Sequence, residues 1–311
     1  MKVVILGGGE SGVGAAILAK TKGLEVFLSD KGEIKENYKK VLVENGIEFE
    51  EKNHDEERIL AADWVIKSPG VPKKAEMVQK IKAKGIRLSS EIEFGAEFTN
   101  AKIIAITGSN GKTTTTSLIY HILKNDNLNV GLGGNIGKSF AMQVAQENFD
   151  YYVLEVSSFQ LDDIQNFRPY ISLLLNLSPD HLDQYNYNYE EYALAKFRIA
   201  ENQENDNYFI YNKDDEMSQK LLQELDLRVK QIPFSMKEKL EEGGFTEEEK
   251  IVVKLHDEFS MKIEDLSLMG THNVANSLAA SIAGKLLNIS NESIRNSLMT
   301  FQAVEHRLEG V

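Results

Sequence analysis

The sequence predicts an α/β protein built on mostly parallel sheets. Three observations predict it. Short runs rich in Val and Ile alternate with helical patterns. A strand, a glycine loop and a helix open the chain at residues 2–22. A second opening of the same form occurs at residues 102–124. The chain has 311 residues, 42% hydrophobic and 27% charged. At about 150 residues per domain, that length suggests two domains. The composition excludes wholesale disorder, collagen and a coiled coil.

The first opening reads as a strand over 2–6, a glycine turn, a helix near 12–22 and a strand over 25–29. Strands follow at 47–50, at 64–67 and near Ile86, then a helical stretch over 90–97. The second opening reads as a strand over 102–107, a glycine loop and a helix over 113–124. Strands at 129–132, 152–156, 171–176 and 208–211 continue it, and the boundary falls near Thr99. The charged stretch 237–250 contains Gly243-Gly244 and reads as a solvated loop or edge region without a ligand role. Helical patterns over 273–287 and 291–299 lead into FQAVEHRLEGV.

Composition also limits function. The chain has no cysteine. A disulfide scaffold, a thiol nucleophile and cysteine-ligated zinc are therefore excluded, and a reducing compartment is compatible. Net charge is 35 − 48 = −13, which argues against nucleic acid as the main partner. Phosphates must be bound locally, by backbone N–H groups and a few placed cations. No run approaches the roughly 18 apolar residues of a membrane span. The start, MKVVILGGGE, is broken by glycines and reads as a strand, not a signal peptide. The cytoplasm is the expected location.

The strongest chemical signal is Gly108-Ser109-Asn110-Gly111-Lys112-Thr113-Thr114 between a strand and a helix. It is a short T-G-x-x-G-K-T-T form of a phosphate loop. Successive N–H groups and the helix N-terminus face phosphate oxygens. Lys112 supplies charge to the β and γ phosphates, and the Thr113 hydroxyl suits Mg²⁺. Gly7-Gly8-Gly9-Glu10-Ser11-Gly12 fits G-x-G-x-x-G, with Asp30 placed for a ribose hydroxyl. Glu10 would repel a closely held pyrophosphate. Ser68-Pro69-Gly70 follows the strand WVIK at the same sheet edge. Glu155, near a strand end in LEVSSFQL, is a Mg²⁺ candidate, with structural roles equally open. Asp180, His181 and Asp183 follow another strand. Lys196 lies on a helix, where a solvated lysine is the ordinary reading. Asn273 and Asn276, at i and i+3, share one helix face. They suit an adenine edge or a helix cap. Arg307 suits a phosphate clamp or a linker charge.

In order and wording, these segments resemble the Mur ligase family, the ATP-dependent amide ligases of peptidoglycan precursor synthesis. The residues carrying the resemblance are Gly7–Gly12 with Asp30, Ser68-Pro69-Gly70, ITGSNGKTT, GGNIG at 133–137 and LEVSSFQL. The wording is nearest to the branch that adds D-glutamate to UDP-N-acetylmuramoyl-L-alanine. The resemblance implies a Rossmann-like UDP-substrate-binding domain at 1–98 and a central P-loop-type ATP-binding domain at 99–304. It further implies a hinge at 305–311 toward a Rossmann-like C-terminal domain that this chain lacks. A fragment of this kind is expected to be unable to turn over alone.

For the site, the resemblance implies ATP and two Mg²⁺. Lys112 would stabilise the γ-phosphate, while Thr113 and Glu155 would hold one metal. His181 would hold the second with Lys196, carrying a carbamate made with CO₂. Gly108–Thr114, Asn273, Asn276 and Arg307 would face ATP. Glu10, Ser11, Gly12, Asp30, Lys31, Ser68, Pro69, Gly70 and Val71 would hold the UDP part. Asn135, Ser157, Gln160 and His181 would lie nearer the muramoyl-alanine end. The partners are the UDP compound, D-glutamate and ATP, with no nucleic acid or membrane, and a monomer is expected. Two rival readings are a nicotinamide-dependent oxidoreductase using Gly7–Gly12 and a non-catalytic nucleotide-binding module.

Overall fold

The structure is a computed structural model that describes residues 1–180 and 182–302. It divides into two compact units. The first comprises Met1–Asn100, Gly133–Phe149 and Phe159–Phe167; the second comprises Ala101–Leu132, Asp150–Ser158 and the chain from Arg168 onward. Two segments beyond residue 98 therefore belong to the first unit.

The first unit begins β1 (Lys2–Leu6), α1 (Glu10–Thr21), β2 (Glu25–Ser29), α2 (Glu36–Glu44) and β3 (Glu48–Glu50). It continues α3 (Glu56–Leu60), β4 (Trp64–Lys67), α4 (Glu76–Ala83), β5 (Arg87–Ser90) and α5 (Glu91–Ala96). The five strands form a parallel sheet in the order β3-β2-β1-β4-β5. Its central strands β1, β2 and β4 are apolar on both faces, as expected where helices cover both sides. Val3, Ile5, Trp64 and Ile66 enter one core, while Val4, Leu6 and Val65 enter the other. Strand order reverses direction between β1 and β4, the place where ligands bind in such sheets. Leu6 pairs with Ser29 on one side and Lys67 on the other. Gly7, Asp30 and Ser68 therefore leave the sheet at one level. Gly12 must be glycine, because a Cβ there would lie 1.8 Å from the Gly7 carbonyl oxygen.

The remaining elements begin with β6 (Lys102–Thr107), α6 (Lys112–Asn125), β7 (Val130–Gly134), α7 (Phe140–Gln146), β8 (Tyr151–Glu155), α8 (Ser158–Leu161) and β9 (Ile171–Leu174). Then come α9 (Tyr189–Phe197), β10 (Tyr208–Asn212), α10 (Glu216–Glu224), β11 (Lys230–Ser235), β12 (Gly243–Glu247), β13 (Lys250–Lys254), β14 (Glu258–Lys262), α11 (Thr271–Leu286) and α12 (Asn291–Thr300). The nine strands run in the order β14-β13-β12-β11-β10-β9-β6-β8-β7. Pairings from β8 through β12 are parallel, and β12-β13-β14 pair antiparallel. The core of this unit packs α6 and α11 residues such as Ile119, Ile122, Leu278 and Ile282 against the sheet.

The expected loop at 237–250 is corrected here. It contains β12, an interior strand, and the start of β13. Phe245, Ile251 and Val253 are buried, and Glu248 and Glu249 adopt the left-handed conformation of a tight hairpin turn. The acidic turn and polar flanks masked the alternation that makes the hairpin.

Two buried carboxylates on α5 anchor the later segments to the first unit. Glu93 accepts hydrogen bonds from the backbone N–H groups of Gln165, Asn166 and Phe167. Glu91 Oε1 accepts from Ser139 Oγ at 2.7 Å and Ala141 N at 2.6 Å, at the start of α7. Its second oxygen is buried without a hydrogen-bond partner. Burial pushes the Glu91 carboxyl up to about 7, against the pull of those donors. The folded protein thus keeps a proton that the unfolded chain releases near 4.5. Stability should fall as pH rises through that window, by up to roughly 3 kcal/mol above it. In thermal unfolding compared at about pH 5 and pH 8, Glu91→Gln should flatten this dependence.

Candidate functional site

In the first unit, a cavity of about 470 Å³ opens at the carboxyl ends of β1, β2 and β4. Of the residues expected to hold the UDP part, Glu10, Ser11, Asp30, Lys31, Ser68, Pro69, Gly70 and Val71 line it. Gly12 is buried in α1 instead. Each Asp30 oxygen already accepts a backbone N–H, Oδ2 from Gly8 at 2.5 Å and Oδ1 from Gly32 at 2.7 Å. That carboxylate shapes the glycine turn as well as facing the cavity. Glu10 Oε1 accepts from Ser139 N at 3.1 Å, which directs part of its charge to a backbone donor.

Sequence reasoning missed several contributors here. His54, Pro72 and Ala75 also line the cavity. Lys67 is buried with Asp163 at 3.1 Å, and its Nζ donates to the Val71 carbonyl at 3.1 Å. It thereby folds the Ser68–Val71 loop. A polar residue ending an apolar strand was the available signal for Lys67. Its partner could not be read, because Asp163 lies far away in the chain.

In the second unit, β6 stands between β8 and β9, with Ile106 beside both Glu155 and Leu173. The Gly108–Lys112 loop leaves β6 at that level. Gly111 is left-handed (φ 82°), and a Cβ on it would lie 2.5 Å from Asn276 Oδ1. No side chain caps the N-terminus of α6, so its first N–H groups suit an anion. Thr113 Oγ1 donates to Glu155 Oε2 at 2.8 Å. Glu155 is 2% exposed.

Lys112 Nζ donates to the carbonyls of Gly108 and Ser109, both at 2.9 Å. Lys196 Nζ donates to the same Gly108 carbonyl at 2.9 Å. Lys196 is 3% exposed, so the solvated-lysine reading is wrong. Tyr192, one turn earlier on α9, lies under the Lys196 ammonium and meets Ser109 Oγ through its hydroxyl at 3.1 Å. Burial raises the Tyr192 phenol above its ordinary value, so it remains a neutral donor or acceptor.

Asn276 is buried against the loop, whereas Asn273 Nδ2 bonds back to the Met269 carbonyl at 2.9 Å. Asn176 went unremarked in the sequence, yet it clamps the loop. Its Oδ1 accepts from Asn110 N and its Nδ2 donates to Asn110 O, each at 2.9 Å. A polar residue just past a parallel strand was the readable sign.

Asn135 is exposed after β7, while Ser157 and Gln160 follow β8. None of the three lines the first-unit cavity. His181, Arg307 and the 305–311 hinge lie outside the described residues. Among the described residues, no three His, Asp or Glu side chains converge as a metal cage. The Thr113 and Glu155 oxygens, held together at a phosphate loop, do fit a hard, oxygen-seeking cation. Among the described residues, no helix is long and apolar enough to cross a membrane.

A phosphate loop beside a buried carboxylate in one unit, and a cavity at the sheet switch point of the other, mark a nucleotide-binding α/β protein. Comparison with known proteins makes the class specific. The Mur ligase middle domain matches residues 106–284, and the MurD N-terminal domain matches residues 2–77. The chain belongs to the Mur ligase family, whose members are ATP-dependent ligases that use Mg²⁺.

Within the family, it is similar to UDP-N-acetylmuramoylalanine–D-glutamate ligases. It is 52% identical to that of Christiangramia forsetii over all of this chain and 70% of the relative. It is 50% identical to that of Bacteroides fragilis, with the same shares covered. Among solved structures, the UDP-N-acetylmuramate:L-alanyl-gamma-D-glutamyl-meso-diaminopimelate ligase from Neisseria meningitides superposes with a TM-score of 0.68 at 20% identity, covering 98% of this chain and 99% of that one. The UDP-N-acetylmuramate–alanine ligase of Thermotoga maritima gives 0.59 at 21% identity, covering 99% and 70%. These two similarities show the fold alone.

Replacing Asn176 with Ala should release the loop clamp. ATP affinity measured by calorimetry should fall about tenfold, with little change in unfolding temperature.

Proposed function

We propose that the chain carries the nucleotide-binding machinery of an ATP-dependent amide ligase that adds D-glutamate to UDP-N-acetylmuramoyl-L-alanine. The observation carrying this reading is the meeting of Lys112, Lys196 and the Thr113–Glu155 pair at one phosphate loop, in a chain half identical to ligases of that name.

The reaction has two steps. A carboxylate oxygen of the alanyl end attacks the γ-phosphorus of ATP, and ADP leaves. The D-glutamate amine then attacks the resulting acyl phosphate carbonyl, and inorganic phosphate leaves as the amide forms. The first step brings two anions together, so charge neutralisation and positioning dominate. Lys112 would leave the loop carbonyls for phosphate oxygens, and the α6 N–H groups would hold the β-phosphate. Asn176 and Asn276 keep the loop in shape, and the Asn273–Asn276 face would meet the nucleoside. Thr113 and Glu155 would hold Mg²⁺, with His181 and Lys196 as the second expected pair. When bound, the metal supplies Lewis-acid neutralisation of the phosphate charge. Lys196, buried beside the loop, would serve as an oxygen ligand only once carbamylated with CO₂. The first-unit cavity would take the UDP part, with Gly9, Glu10 and Ser11 at its phosphate end.

The protein is proposed to work in the cytoplasm as a monomer, in the synthesis of cell-wall precursors. The chain as it stands spans 70% of the relatives' length. For it, the reading expects substrate binding with little or no turnover. Calorimetric titration should show binding of UDP-N-acetylmuramoyl-L-alanine and none of NADH. NADH binding alone would return the oxidoreductase reading. Lys112→Ala should weaken ATP by tenfold or more, about 1.4 kcal/mol, while leaving UDP-substrate binding intact.

A further inference from the structure

We infer that His54 reads the pyrimidine edge in the first-unit cavity, as a hydrogen-bond acceptor whose tautomer is set by Ser29 and Glu50. This rests on the reading of that cavity as the UDP site. Its glycine-loop end suits phosphates. Beyond that end, apolar Val71, Pro72 and Ala75 stand with Lys31, His54 and Asp30, whose two oxygens each already accept a backbone N–H. That is the composition a flat ring with a polar edge requires.

The tautomer follows from counting hydrogens. Ser29 is fully buried and has one hydroxyl hydrogen. Its Oγ lies 2.7 Å from Glu50 Oε1, 3.4 Å from the Asn53 carbonyl and 2.6 Å from His54 Nδ1. Glu50 Oε1 also accepts from Asp55 N at 2.7 Å, so it faces the hydroxyl as an acceptor. If the hydroxyl hydrogen went to His54, two oxygen acceptors would meet Ser29 with nothing between them. The hydrogen therefore goes to an oxygen, and His54 Nδ1 must donate to Ser29 Oγ. One hydrogen on Nδ1 leaves Nε2 with a lone pair. Burial also lowers the affinity of the imidazole for a second proton. It does so against the pull of Glu50 and Asp30, and the Lys31 charge acts in the same direction as burial.

Uracil presents acceptor, donor, acceptor along O2, N3–H and O4. Nε2 matches the N3–H, and the Lys31 ammonium can serve a carbonyl. Cytosine has a bare N3, which would set two acceptors against each other. Discrimination here comes from an unpaired polar group, which costs more than a lost methylene.

The test titrates the chain with UDP, CDP and N3-methyl-UDP. UDP should bind about tenfold or more tighter than the other two. His54→Ala should lose about tenfold in UDP affinity and most of the UDP-to-CDP ratio. His54→Gln, which restores an acceptor near the Nε2 position, should recover part of both. In ¹⁵N spectra, His54 Nε2 should resonate as an unprotonated ring nitrogen and shift with UDP but not with CDP. Equal binding of UDP and N3-methyl-UDP by the unaltered chain overturns the inference without any variant. So does an unchanged UDP-to-CDP ratio in a folded His54→Ala protein. Both results leave the ligase reading intact. A folded chain that binds none of the three overturns the UDP reading of the cavity together with this inference.

Discussion

Backbone pairing at the carboxyl ends of parallel strands is the constraint on which both sites depend. Where Leu6 pairs with Ser29 and Lys67, three loops must leave the sheet at one level. Where Ile106 pairs with Glu155 and Leu173, a carboxylate and the phosphate loop are brought to the same edge. A register slip of one residue would turn every such side chain to the opposite face. A slip would also exchange the residues of two different cores, Val3 and Ile5 on one face for Val4 and Leu6 on the other, and lose the packing of both. Chemistry at these edges is therefore positioned by the least chemical residues in the chain.

Charge is handled locally in a protein with a net charge of −13. Lys112 and Lys196 converge on one carbonyl, Lys67 is buried against Asp163, and Glu91 and Glu93 are buried against backbone donors. Each arrangement takes a charged or titratable group out of water only where a carbonyl, an opposite charge or an N–H row receives it. Desolvation makes such pairs poor sources of net stability, yet breaking one partner is costly. Their value here is positional. Lys67 folds the loop beside the first cavity, and Lys196 is held at the phosphate loop by an α-helix that also supplies Tyr192.

The motif residues were legible because glycine loops, strand ends and helix starts leave local marks. Gly108–Thr114, Glu155, Asp30 and Ser68–Val71 all stand at such marks, and the α/β class followed from alternation. Tyr192, His54 and Asp163 were not legible as contributors. Each acts on a residue distant in sequence, and nothing in its own neighbourhood points there. The β12-β13 hairpin was hidden for another reason. Its turn is made of consecutive acidic residues, whose charge outweighs the short apolar alternation on either side. Lys196 shows the limit most sharply. On a helix, a lysine is ordinarily solvated, and only the packing of α9 against the loop buries it.

By itself, the sequence determined the α/β class, the two glycine-loop openings and the family's motifs, since these depend on residues adjacent in the chain. Tertiary structure alone decided which polar groups share a hydrogen, which lysine loses its water and which later segments join the first unit. Those outcomes depend on pairings between residues tens of positions apart, and only the packed fold selects them.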